Sequence, residues 1–129
     1  MEQTLKHWRS TPFIWGKSDC LLSIADYIVE NGGVDGGKGL RGTYDTEQGA
    51  NAHVRAAGGF EALINATGIA ETDNPSEGDV CVCRVMNQPT AGLHTSDGVV
   101  FRHKDKGVVE ISDRFLEVVQ SWSIKSCRP

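Results

Sequence analysis

The apolar positions Leu21, Ile24, Ala25, Ile28 and Val29 recur at the spacing of one helical face, and Gly32-Gly33 closes the run. Ser18, a residue of the N-cap type, stands just ahead, so the pattern predicts a helix from about Asp19 to Asn31 with Cys20 in its first turn. Leu5 and Trp8 share one side of a shorter segment, Glu2 to Arg9, which Thr11-Pro12 ends through proline's restriction on the residue before it. Gly32 to Gly42 is too rich in glycine for anything but a loop. A helical pattern returns from Glu47 to Ala57 behind Thr46 as cap, and again from Phe60 to Thr67 between Gly58-Gly59 and Gly68.

From Asp79 onward the period changes from helical to alternating. Asp79 to Met86 sets Val80, Val82 and Arg84 on one side of a strand and Cys81, Cys83 and Val85 on the other, and a loop through Pro89 follows. Ala91 to Ser96 and Val99 to His103 read as a hairpin around Asp97-Gly98, a favoured pair for a type I′ turn. Lys104 to Gly107 makes a second turn, and Val108 to Ile111 and Glu117 to Ile124 complete the strands. Ile69 to Glu77, polar and carrying Pro75, is the crossing between the halves. The expected architecture is a single α+β domain over residues 1–129, with N-terminal helices packed on a C-terminal antiparallel sheet.

Length agrees: 129 residues suffice for one core and not for two ordinary domains. Charge removes one class of partner. With 13 basic against 17 acidic side chains and no basic run, the chain is not built to neutralise nucleic acid. Met1 to Ser10 lacks the apolar core of a signal peptide, and no stretch approaches the ~18 apolar residues of a membrane span, so neither export by a leader nor membrane insertion is expected.

Cys20 is the candidate for chemistry, because unpaired N–H groups and the positive end of the dipole at a helix start favour thiolate over thiol. A nucleophilic thiol needs an imidazole to take its proton and a group to orient that imidazole. His7 and His53 lie on helical stretches. His94 and His103 flank the hairpin; with Asp97-Gly98 as its turn, His94 pairs with Phe101 and lies diagonal to His103 on the same face, roughly 5.5–8 Å away. Cys81, Cys83, His94 and His103 also compose a zinc-type set, but Cys-x-Cys lacks the usual spacing and no metal is expected.

Pro12-Phe13-Ile14-Trp15-Gly16-Lys17-Ser18-Asp19-Cys20 resembles the Pro-Tyr-Val-Trp-Gly…Asp-Cys block that opens NlpC/p60 domains, papain-like cysteine peptidases acting on peptidoglycan stem peptides. The closer likeness is to a short phage-associated branch, found among tail and gene-transfer-agent proteins, that begins Trp-Gly-x-x-Asp-Cys. The resemblance continues through Gly42-Thr43-Tyr44, Gly49-Ala50, Gly78-Asp79-Val80 and Trp122. It implies a papain-like fold and a cofactor-free hydrolase in which Cys20 attacks an amide carbonyl, His94 carries the proton and His103 orients His94. Trp15, Asp19 and Tyr44 are then expected to hold substrate. The implied partners are a peptidoglycan peptide and other phage tail proteins, with assembly in the host cytoplasm and a final place in the virion tail.

The chain also departs from that pattern. Phe13 replaces the family's tyrosine, Leu21-Leu22 replace Ser-Gly after the cysteine, and aligning the base strand on Gly92-Leu93 puts Thr90 where the histidine belongs. These departures define the alternative expectation, a catalytically inactive tail-assembly or tail-tip protein with the same fold.

Overall fold

The computed structural model describes residues 1–128, with helices first and strands afterwards. The helices are α1 (Glu2–Ser10), α2 (Cys20–Glu30), α3 (Glu47–Ala57) and α4 (Phe60–Asn65). The strands are β1 (Val80–Val85), β2 (Gln88–His94), β3 (Gly98–His103), β4 (Gly107–Ser112) and β5 (Glu117–Trp122). They form one antiparallel sheet in the order β4-β3-β2-β1-β5. The expected α+β architecture is therefore present, with α2 lying against β2 and β3 and α1 against β4. No helix among the described residues is long and apolar enough to cross a membrane.

Side-chain alternation divides the sheet into two faces. Val80, Val82, Ala91, Leu93 and Val100 turn toward the helices and join Leu21, Ile24, Tyr27 and Ile28 in the main core. Leu22, fully buried, packs instead with Tyr44 and Ala50, whereas Val29, expected on the buried stripe, is 42% exposed. On the opposite face Cys81, Cys83, Val99 and Phe101 make a second buried cluster with Val85, Ile111 and Leu116, built without a helix.

Several local expectations shift by a residue or two. The cap of α2 is Asp19 rather than Ser18, whose hydroxyl instead accepts from Ile14 N–H (3.0 Å) and donates to the Pro12 carbonyl (2.7 Å). Pro89 lies inside β2, because Met86-Asn87 already form a tight turn with φ of 51° and 66°. Proline's missing N–H is tolerated there since β2 pairs with β3 only at Leu93 and His94, leaving that stretch beside β1 alone. The next hairpin turns on Ser96-Asp97, one residue early, with Thr95 N–H donating to the Gly98 carbonyl at 2.9 Å. His94 consequently pairs with Val99 and not with Phe101.

Asp79 locks the end of the sheet to the chain terminus. Its carboxylate accepts from Ser76 N–H at 2.7 Å and Ile124 N–H at 3.0 Å, while Tyr27 O–H reaches the Gly78 carbonyl at 2.6 Å. The Gly-Asp-Val segment thus serves as a structural knot between α2, β1 and the turn after β5.

Candidate functional site

Cys20 is the first residue of α2, held by the buried carboxylate of Asp19. Oδ1 accepts from Leu22 N–H at 2.9 Å, while Oδ2 accepts from Gly16 N–H at 2.8 Å and from Tyr44 O–H at 2.7 Å. One side chain therefore fixes the helix start, the preceding turn and the following loop. Gly16 is required by this closure: its φ is +84°, and a Cβ there would stand 2.0 Å from the Tyr44 carbonyl oxygen. The Trp-Gly-x-x-Asp-Cys motif is, in this structure, first of all a way of building that turn.

The half-buried Cys20 faces a cavity of about 290 Å³, whose lining includes Phe13, Trp15, Thr90, Phe101 and His103. Trp15 stands edge-on to Phe13, their ring centres 4.8 Å apart, so the mouth of the cleft is aromatic. Burial pushes the thiol up to about 12, and the adjacent Asp19 charge adds to the rise; backbone N–H groups at the helix start oppose it without prevailing. At neutral pH Cys20 is a protonated thiol.

The expected base is elsewhere. His94 lies at the far end of β2, buried, with Nε2 2.8 Å from Ser121 Oγ. It borders a separate cavity of about 600 Å³ with Glu71, Glu77 and Asp113. Burial holds its imidazole below the ordinary histidine pKa, partly countered by Asp79 and Asp113. The one-residue shift of the turn accounts for the separation: alternation keeps His94 and His103 on one face, but the true register spreads them toward opposite ends of the sheet. The pair is not the diagonal base-and-orienter pair the hairpin predicts.

His103 does reach the Cys20 cleft. Its Nδ1, however, accepts from Asp105 N–H and Lys106 N–H, both at 3.1 Å, which assigns the proton of the neutral ring to Nε2. In that arrangement the imidazole is a donor and has no free lone pair for a thiol proton. His53 pairs with Thr43 Oγ1 at 3.3 Å, and His7 lies in a third cavity beside α1.

Of the residues expected to hold substrate, only Trp15 lines the cleft. Asp19 is fully buried within the turn, and the Tyr44 hydroxyl is committed to it. Cys81 and Cys83 are sealed in the second cluster, so the four residues of the zinc-type set do not converge; among the described residues no group of three metal-ligating side chains does. Two polar groups escaped the sequence reading. Ser121 gave no signal because its role depends on the pairing of β5 with β1, whereas Arg102 announces itself as a charge on the helix-facing register of β3, two residues after Val100.

A family model described as a domain of unknown function, DUF6950, matches residues 1–124. The chain belongs to the DUF6950 family. No curated protein and no solved structure gives a significant match. For this DUF6950 member the site itself must therefore carry the functional argument, and the site offers an aromatic cleft, a protonated thiol and a hydroxyl-bearing Thr90.

Proposed function

We propose that this chain is a non-hydrolytic protein of the papain-like NlpC/p60 type, acting as a tail-assembly or tail-tip component of a phage particle. The carrying observation is that Cys20 shares its cleft with Thr90 and a donor-locked His103 while His94 is bound to Ser121 in another cavity. A threonine hydroxyl cannot hold a proton taken from a thiol, so the step that would make the nucleophile is missing. The aligned position of the family's base is Thr90, and that residue borders the same cavity as Cys20, which supports both the kinship in fold and the loss of the base. The tail setting rests on the likeness of the Trp-Gly-x-x-Asp-Cys block.

What the framework retains is shape. The buried Asp19 turn and the aromatic rim of Phe13 and Trp15 hold a rigid, mostly apolar cleft suited to contact with neighbouring tail proteins. Two assays together test the reading: release of new amino groups from purified peptidoglycan, and co-purification with tail proteins of the same phage. The expected result is release no greater than that of Cys20→Ala, with both forms entering the tail complex equally. Cys20-dependent release would overturn the proposal in favour of a hydrolase.

A further inference from the structure

Arg102 is a buried cation with no ion-pair partner among the described residues. The residue is 4% exposed, yet its guanidinium donates only to Thr11, just past the end of α1. Nη2 reaches the Thr11 carbonyl at 2.7 Å and Oγ1 at 3.3 Å, and Nη1 reaches the same Oγ1 at 3.3 Å. Nε is sealed from solvent and has no acceptor. The ion pairs among the described residues engage Arg41 and Lys104 instead. Burial draws the Arg102 pKa down from the ordinary arginine value, with no carboxylate near enough to restore it. A guanidinium carries five donors, and an uncompensated one inside a protein is costly to keep.

This side chain borders a cavity of about 780 Å³ between α1 and α2. The charges around it are arranged by depth. Arg102 is buried, whereas Glu2 and Glu30, which also line the space, are exposed, and Asp26 is already paired with Arg41 at 2.6 Å. Among the described residues one buried cation without a counter-ion thus lies at the floor, and two carboxylates without an ion-pair partner stand at the mouth beside the Met1 α-ammonium. A simple anion entering must pass those carboxylates, and a simple cation gains nothing from the floor. A molecule carrying both charges satisfies each end.

We propose that the cavity between α1 and α2 binds a small zwitterion, an amino acid or a molecule with the same end groups, with its carboxylate on Arg102 and its ammonium toward Glu2 and Glu30. The carboxylate supplies the counter-charge that Arg102 lacks and accepts from the remaining N–H groups of Nη1 and Nη2, in the charge-assisted geometry arginine favours. Ser23 and His7 add polar lining to the same space. Arg102 lines the Cys20 cleft as well, so the two cavities share this side chain, but Cys20 itself takes no part in the proposed binding.

The test is a titration of the ¹⁵N-labelled full chain, following the Arg102 Nε–H resonance assigned through the backbone of the wild-type protein. The probes are glycine, 4-aminobutyrate and 6-aminohexanoate, three zwitterions of increasing charge separation, with acetate and butylammonium as single-charge controls. The expected result is a saturable shift with at least one zwitterion, about fivefold tighter than acetate, and a narrowed advantage in Glu2→Gln/Glu30→Gln. Arg102→Lys, followed through the backbone amide shifts of Thr11 and its neighbours, should weaken the preferred zwitterion, since a lysine cannot reproduce the bidentate contact. Absence of a saturable shift with all three zwitterions would overturn the proposal, and so would acetate binding as tightly as the best of them.

Discussion

Two ends of the sheet border the two groups that a cysteine hydrolase would need together, a thiol and an imidazole, and these lie in separate cavities. At one end Cys20 has a cleft, an aromatic rim and a capped helix, but no base. At the other His94 has a buried imidazole and a hydroxyl partner, but no thiol. Thr90 and His94, four residues apart on β2, mark the ends, and four residues of extended chain span about 13 Å. Sharing a face is thus far weaker than sharing a site. The Cys20 end differs further in what its polar groups do: Asp19 accepts from the Tyr44 hydroxyl and from two backbone N–H groups, so both side chains maintain the turn and leave the thiol unassisted.

The largest effect should come from removing the organiser of the Cys20 end. Asp19→Ala strands two buried N–H groups and the Tyr44 hydroxyl, each costing about 1–3 kcal/mol, so a stability loss of about 3 kcal/mol or more is expected in urea unfolding. Asp19→Asn keeps an acceptor for Leu22 and should recover part of it. A loss below about 1 kcal/mol for Asp19→Ala would mean that the turn is held by its glycines and loop contacts instead.

Next comes the thiol. With its pKa raised, Cys20 has little thiolate at neutral pH, so the rate of its alkylation should climb about tenfold per pH unit from pH 7 to 9 without a plateau. His103→Ala should leave that profile unchanged, because Nδ1 of His103 is occupied by two backbone donors. Thr90→His is the sharper change: a cationic imidazole on the cleft wall should favour thiolate and raise the rate at pH 8 by about tenfold or more. Peptide-resolved mass spectrometry separates Cys20 from the other thiols. A wild-type plateau near pH 7, lost in His103→Ala, would restore a working base to this end.

Much of the fold was legible because periodicity reports burial directly. The stripe around Ile24 and Ile28, the Thr46 cap, the alternation of Val80 to Val85 and the change from helices to strands all survive in the structure. Register was less legible. Ser96-Asp97 and Asp97-Gly98 are both plausible turn pairs, and choosing between them moves the partner of His94 by two residues, enough to turn neighbours into strangers. The Cys20 turn could be placed from Trp15-Gly16 and Asp19-Cys20, yet the commitment of Asp19 to Tyr44 could not, since it depends on where a glycine-rich loop returns. Arg102 was readable as an anomaly of pattern, but only the neighbours in space show that its charge goes unanswered.

The smallest predicted effect belongs to the His94 end and depends on pH. Burial keeps the His94 pKa below its unfolded value of about 6.5, so the unfolded chain binds more protons in that range than the folded one. The stability that neutral His94 contributes is therefore complete above pH 6.5 and is lost as pH falls through the folded value. Asp79 and Asp113, whose charges favour the protonated ring, limit the loss. Denaturant unfolding at intervals from pH 7.5 to 5 should show a decline that His94→Gln flattens, while Ser121→Ala costs about 1 kcal/mol at neutral pH by removing the partner of Nε2. Neither substitution should alter the alkylation of Cys20, which is the strictest form of the separation between the two ends. A His94→Gln protein that kept the whole decline would assign it to carboxylates, and one that changed Cys20 reactivity would show the ends to be coupled.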